Sequence, residues 1–508
     1  MKINQLKLGS LLTYAQMALS IGINLVYTPI MIRCLGQSEY GLYQTALSVI
    51  SMMSVLNLGF SNSYIRYYSK FKSDGNDQAI FRLNGQLTLI MASLGLVTLV
   101  CGLFLSFNLE LVFSTGLTAN EYKIARILLL LLTFDLSVSF PASVLGSIIS
   151  AHERFVFLKL LGMLRSVLSP LVTLPLLLMG FRSVAMVSVT VALSAITNIC
   201  YFYYVKIILK HKFIFRDFSP SLLKDMAVYT GFIAINMLID QVNWNISKVM
   251  LGRYWGTVEV SVYSVGYALF TYYMMFSTSI SGVFTPRIHG IVNTIKEPRE
   301  LKAALTELFV RVGRIQFLIL ALIASGFVFF GEQFMLIWAG KGYERSYYVL
   351  LLLCMPASIA LIQNIGIEIQ RAQNKHKFRS FCYSFMAVLN FACCLILCRD
   401  YGAVGAAVGT AVSLVVANGI IMNFYYHLKC NIDIVSFWKS ICRMSVGLAG
   451  PVLFGILLKH FVQLETIFMF AICVVVYTGV YCLSMWLIGM NKYEKNLLLG
   501  PIRKFVKR

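Results

Sequence analysis

Charge is what this sequence has least of. Only 13% of its 508 residues are Asp, Glu, Lys or Arg, while 58% are apolar and the mean hydropathy is +0.77. A soluble chain carries about 25% charged residues, so a soluble enzyme or binding module is excluded. Acids are scarcer than bases, 21 against 43, leaving a net charge of +22. No Lys/Arg patch sits on a polar domain, which argues against nucleic acid as a partner. Also missing is any Cys-x-x-Cys pair or Cys/His cluster. The twelve cysteines lie nearly all inside apolar blocks, and the six histidines lie near span ends or in loops, never at ligand spacing. Neither a metal site nor a disulfide framework is expected. No Gly-rich nucleotide-binding loop is present, so ATP is not the direct driver and no cofactor is implied.

What the chain does have is apolar blocks of about 20–25 residues, long enough to cross roughly 30 Å of hydrocarbon at about 1.5 Å per residue. The first, residues 9–32, is too long for a signal peptide, contains Gln16, Asn24 and Pro29, and lacks a small-residue cleavage site. It reads as the first span. Further spans are expected at 41–62, 83–107, 124–149, 156–179, 184–205 and 226–247. The second half gives 260–284, 315–338, 347–369, 379–398, 402–426, 441–458 and 464–488. The expected fold is therefore an all-α polytopic membrane protein with 14 transmembrane helices. Connections are short. The longest, about 285–314, carries Pro298 and then "RELKAALTELFVRV", which predicts an interfacial helix running into the ninth span. Counting alternate connections, 32 of the 43 basic residues fall on one side and 10 on the other, with Arg165 alone deep in a span. That bias predicts both termini in the cytoplasm.

One short phrase occurs twice. "LGQSEYGLY" holds Gly36, Glu39 and Tyr43, and "WGTVEVSVY" holds Gly256, Glu259 and Tyr263, each 220 residues further on. The echo continues in Val184/Val404, Thr190/Thr410, Asn198/Asn418 and Gly146/Gly366. Several matches at one offset, each in an equivalent span, indicate duplication. Residues 1–212 form an expected N-terminal lobe of spans 1–6, and 213–430 a second lobe of spans 7–12. Residues 431–508 supply two additional spans and a basic tail. Six is even, so the repeat is parallel; transporters built this way bind substrate between lobes that rock to give alternating access.

Spans grouped six, six and two resemble the polysaccharide transporter family. The resemblance is carried by the Leu35-Gly36…Glu39-Tyr40-Gly41-Leu42-Tyr43 hairpin, "LNLGFSNSYIRY" ending span two, Leu251-Gly252 after span seven and Val404-Gly405-Ala406-Ala407 opening span twelve. These are flippases of lipid-linked oligosaccharides for bacterial O-antigen (lipopolysaccharide), capsule and exopolysaccharide synthesis. They belong to one superfamily with multidrug antiporters and lipid II flippases. The resemblance implies a bacterial inner-membrane transporter, not an enzyme, whose cargo is an undecaprenyl-diphosphate-linked glycan. Membrane lipids, proton or sodium coupling, and polymerase or chain-length proteins are the implied partners. The family often has an acid four positions before Leu251; here Ser247 stands there, followed by Lys248, so no carboxylate role carries over.

A diphosphate and a glycan need a hydrophilic cavity with positive charge in it. Span one places Thr13, Gln16, Ser20 and Asn24 on one helical stripe, and span seven does the same with Asn236, Asp240, Asn243 and Ser247, extended by Gln241, Asn245 and Lys248. Such groups either line a water-filled path or hydrogen-bond neighbouring helices as packing glue. Charges at mid-depth are costly and are functional candidates: Asp135, Arg165 and Asp240. Asp135 and Arg165 are either a structural ion pair or part of the path. Asn24, Arg165, Asn236, Asn243 and Lys248 are the candidate path residues, and Asp135 and Asp240 are candidates for ion coupling or pairing. A drug antiporter is the rival transporter reading. A membrane glycosyltransferase or polymerase is the rival of another class, but the first external loop offers only Glu39 as an acid and no nucleophile–base set is evident at 108–123.

Overall fold

The computed structural model describes residues 5–57, 59–113, 117–216, 220–462, 466–497 and 499; these form helices, with no strand among the described residues. Helix α1 (Gln5–Met53) holds the first predicted span and most of the second, and breaks at Gly36, where φ 75° and ψ 171° lie in a region open only to glycine. A 3-10 turn at Ser54–Asn57 leads to α2 (Phe60–Ser73), an amphipathic helix with Lys70 and Lys72 in its last turn. Next come α3 (Asp77–Phe107), α4 (Ala119–Ala151), α5 (Phe155–Leu178) and α6 (Ser183–Tyr203). Asn76 caps α3, and Thr118 with Glu121 forms a capping box on α4, satisfying amides that a helix start leaves open.

Helices α7 (Pro220–Tyr254) and α8 (Thr257–Thr294) are joined at Gly256, whose φ of 79° repeats the Gly36 break 220 positions on. Then follow α9 (Pro298–Trp338), α10 (Glu344–Ile362), α11 (Ile365–Ala372) and α12 (His376–Leu414), the last broken at Gly402. The chain closes with α13 (Met422–Lys429), α14 (Ile434–Ser445), α15 (Ala449–Phe461) and α16 (Ile467–Ser484). The predicted connection at 285–314 is almost entirely helical, because α8 runs to Thr294 and α9 starts with Pro298 in its first turn. Hydropathy marks where a helix leaves hydrocarbon, not where its backbone bonding stops. Most predicted spans lie on described helix, but 41–62 runs past the end of α1 into α2, 347–369 crosses from α10 to α11, 441–458 crosses from α14 to α15, and 464–488 begins outside the described residues. Ten described stretches are long and apolar enough to cross a membrane; Lys377–Lys429 holds two predicted spans and Leu12–Asn57 holds most of two more.

The chain divides into two compact units: residues up to Ser264 with Cys394–Ala406, and Val265–Cys393 with the residues from Ala407 on. This division assigns α7 to the first unit, whereas the sequence repeat counts it as the first span of a second lobe. In the first unit, Tyr64, Leu83, Leu87 and Ile148 bury one cluster among α2, α3 and α4, and Leu42, Phe113, Leu128 and Val187 bury another. In the second unit, α9 packs on α16 through Phe330 and Tyr477, and Tyr481 donates to the Leu318 carbonyl at 2.7 Å. Between such clusters the helices present apolar side chains outward, as Leu96, Val100, Phe104 and Phe107 do on α3. In water such a surface would aggregate; in lipid it is the correct one.

The repeated phrase has one structural job in both places. Glu39 is buried, and its Oε1 accepts from the Ser183 amide at 2.9 Å and the Ser183 hydroxyl at 2.6 Å. It thereby caps the start of α6, where the helix dipole favours an anion. Glu259 Oε2 accepts from the Ala403 amide at 2.9 Å, just past the Gly402 break, where the second half of α12 begins. The partner lies 144 residues ahead in each case.

Candidate functional site

Three helices of the first unit bring together one connected set of polar side chains. Arg165 on α5 donates from Nη2 to the Ser194 hydroxyl on α6 at 2.6 Å, and that hydroxyl donates to Asp135 Oδ2 on α4 at 3.2 Å. No ion pair within 4 Å joins Arg165 directly to Asp135 among the described residues, so of the two alternatives the direct pair is not seen; the two are linked through a serine. Ser194 is buried, while both charged groups are half-buried. A guanidinium carries five N–H donors. Beyond the bond to Ser194, those of Arg165 have no protein acceptor among the described residues. A half-buried cation at mid-span with open donors is a place for water or an anion.

Helix α1 lies along α5 beside this set. Gln16 rests against Gly162, where a Cβ would come within 2.7 Å of the Gln16 Nε2, and Ser20 meets Ser166 at 3.4 Å. Asn24 and Thr13 from the same stripe stay exposed. The stripe on α7 divides as well. Asp240 is exposed and Asn236 half-buried, whereas Asn243, Ser247 and Lys248 are buried in helix packing, with Ser247 meeting the Cys394 thiol at 3.4 Å. The Asn245 amide donates to Gln241 at 2.6 Å, a bond within one helix. Tyr201 lies within electrostatic reach of Arg165 and packs on Phe157, as does Tyr204.

A family model for polysaccharide biosynthesis proteins matches residues 7–292, more than half of the chain. The chain belongs to that family. No curated protein matches it significantly. Among solved structures it is similar to the lipid II flippase MurJ in an inward closed conformation, at TM-score 0.71 and 15% identity, covering 97% of this chain and 99% of that one. It is also similar to an inward-facing multidrug resistance MATE family transporter of the MOP superfamily, at TM-score 0.62, 13% identity and 82% and 99% coverage. A third is a MOP superfamily transporter from Pyrococcus furiosus described as having a binding pocket of reverse polarity, at TM-score 0.57, 14% identity and 81% and 93% coverage. The fold is that of the MOP-superfamily transporters.

Sequence reasoning missed Ser194, one serine among many in apolar helices, and it missed a histidine pair. His152 follows α4 and His211 follows α6, and their Nε2 atoms lie 2.8 Å apart. Tyr68 reaches His152 Nε2 at 2.9 Å, and Asn84 lies 3.4 Å from His211 Nδ1. His152 Nδ1 bonds the Ile148 carbonyl, so its Nε2 is the accepting nitrogen. Burial holds both imidazoles below their usual 6.5, His211 at about 4, and the neighbouring Lys72 adds to this. No group of three His, Cys, Asp or Glu side chains assembles among the described residues.

Proposed function

We propose that this protein is a flippase. Its cargo is an undecaprenyl-diphosphate-linked oligosaccharide repeat unit, moved from the cytoplasmic to the outer leaflet of the bacterial inner membrane by alternating access. The product would feed O-antigen, capsule or exopolysaccharide synthesis. The observation that supports this reading is Arg165, a mid-span guanidinium whose donors are not consumed by Asp135. Arginine matches phosphate oxygens with paired N–H bonds, and a diphosphate cannot enter hydrocarbon without such compensation. Asn24 and Asn236 extend the polar path on α1 and α7; Asn243 and Lys248 join it when their helix packing opens. Family membership in polysaccharide biosynthesis supports the glycan part of the cargo.

The decisive experiment is complementation of a strain lacking its own flippase. Arg165→Gln should abolish surface polysaccharide at normal protein level, and adding Asp135→Asn should not restore it. Rescue by the double variant would make the pair structural and overturn this role. A drug antiporter is the second reading, favoured by the MATE likeness. Drug resistance conferred without any glycan phenotype would select it. Asp240, exposed on α7, is the proposed coupling acid. Reconstituted protein should show cargo-dependent proton or sodium flux that Asp240→Asn removes while cargo binding remains; undiminished flux refutes the assignment.

A further inference from the structure

We propose that the second unit carries a binding site for the phosphate headgroup of an anionic membrane lipid, between α14, Arg314 in α9 and the segment that follows α16. The sequence of α14 already separates two faces. Ile434, Phe437, Ile441 and Met444 are buried, and Ser436, Lys439, Ser440 and Arg443 follow one another at i, i+3, i+4 and i+7 on the other side. That polar face lines a cavity of about 440 Å³ with Arg314, Ile488, Gly489, Met490 and Asn491. This volume falls in the range of about 300–1,000 Å³ usual for ligand pockets, ample for a phosphodiester with its glycerol.

The charges in this cavity do not cancel. Arg314 is buried and forms a two-point pair with Glu494, which also accepts from the Asn491 amide at 2.8 Å. Arg314 further donates to the Ser440 carbonyl and hydroxyl at 3.1 and 3.2 Å and to the Gly489 carbonyl at 2.9 Å. The pair is therefore a neutral, satisfied floor that fixes the cavity's shape. The nearby Asp433 is spent on the start of α14, accepting from the Val435 and Ser436 amides and the Ser436 hydroxyl. Lys439 and Arg443 remain at the mouth, exposed and with no acidic partner among the described residues. The Ser440 hydroxyl, having accepted from Arg314, has a proton with no acceptor among the described residues. Two cations and one hydroxyl donor converging on a cavity are the chemistry of a phosphate site.

A lipid is the occupant that fits, rather than free phosphate. Val435, Val446, Leu487 and Ile488 are exposed around the same helix ends, apolar surface that acyl chains can cover. The site also sits at the ends of the predicted spans that face the basic-rich side, where anionic headgroups are attracted by about 1 kcal/mol per Lys or Arg. The proposal is independent of the cargo path, since none of these residues belongs to the Arg165 set.

Native mass spectrometry of the full purified chain, titrated with phosphatidylglycerol, phosphatidylcholine or inorganic phosphate, tests it. The wild type should retain phosphatidylglycerol at least about tenfold more tightly than phosphatidylcholine, and millimolar inorganic phosphate should not displace it. The double variant K439Q/R443Q should lose that preference, and Ser440→Ala should weaken it. Lys70→Gln on α2, an exposed basic residue elsewhere, should leave it intact. Thermal unfolding verifies folding: K439Q/R443Q and Lys70→Gln replace exposed groups and should match wild type, and Ser440→Ala, which removes one acceptor from Arg314 but keeps the Ser440 carbonyl bond, should stay close to it. Unchanged lipid retention in the double variant overturns the site. Equal loss in Lys70→Gln overturns it in favour of general charge attraction, and displacement by inorganic phosphate overturns the lipid as occupant.

Discussion

Glu39 is the residue whose replacement best separates structure from chemistry. As an acid beside the first hairpin it could be taken for a cargo or proton ligand, yet it is buried and committed to α6. Its bonds to the Ser183 amide and hydroxyl are charge-assisted, a class worth roughly 1.5–3 kcal/mol per bond, and as both fall on one oxygen they do not add in full. The contact from Arg182, at 3.2 Å, comes from a side chain that is 64% exposed, so solvent and salt reduce it to about 0–1 kcal/mol. Glu39→Ala should therefore cost about 2–4 kcal/mol, because it removes the acceptor and leaves buried Ser183 donors unpaired. Glu39→Gln keeps one acceptor oxygen and should cost about 1–2 kcal/mol. Arg182→Ala should cost less than about 1 kcal/mol. Unfolding of the purified protein in detergent, followed by tryptophan fluorescence, measures all three. The same order should appear at Glu259, which caps Ala403. If Arg182→Ala matches Glu39→Ala, or if Glu39→Ala unfolds like wild type, the cap is not what the repeated phrase supplies.

Two further predictions concern topology and pH. In a cysteine-free background, single cysteines at positions Asn120 and Lys341 should label from outside, and those at Lys212 and Lys375 only from inside; outside labelling at 375 would refute the span map. The histidine pair makes stability depend on pH. With both folded-state values below 6.5, and His211 at about 4, the unfolded chain takes up protons first as pH falls. Stability is thus fully present above about 6.5 and lost as pH falls toward 4. The shift at His211 bounds the loss at about 3 kcal/mol, which partial exposure reduces to about 1–2 kcal/mol. His211→Gln should flatten the melting temperature between those pH values, and an unchanged slope would show that other groups carry it.

The helices were legible because apolar blocks of membrane length have few alternatives, and the breaks at Gly36 and Gly256 were legible as repeated glycines. The partners of Glu39 and Glu259 were not, since each lies 144 residues ahead and an N-terminal amide leaves no mark in a sequence. Arg165 and Asp135 stood out because charge is rare at mid-span, but Ser194 between them did not, as hydroxyls in membrane helices mostly bond their own backbone, as Thr197 does to the Leu193 carbonyl at 2.7 Å. Periodicity put Asn236, Asp240, Asn243 and Ser247 on one face of α7. It could not tell that the face turns from exposed at Asp240 to buried at Ser247, because burial depends on what packs there. His152 and His211 were separated by 59 residues and met only through the fold.

What repeats at 220 residues, and what does not, bears on where the chemistry lies. The repeated features are backbone geometry and its supports: a glycine at positive φ, a carboxylate three residues later, and a helix start that it caps. The charged set does not repeat. At the positions 220 beyond Asp135, Arg165 and Ser194 stand Met355, Phe385 and Leu414. Holding an arginine at mid-span costs several kcal/mol that apolar residues do not, so a duplicated scaffold kept the set in one copy only if that copy alone needs it. A purely structural bridge between helices four, five and six would be called for equally in both copies, since both share the hairpin and its cap. The second copy manages with Met, Phe and Leu. The asymmetry therefore supports the proposal that Asp135, Ser194 and Arg165 serve what the protein handles rather than how it folds.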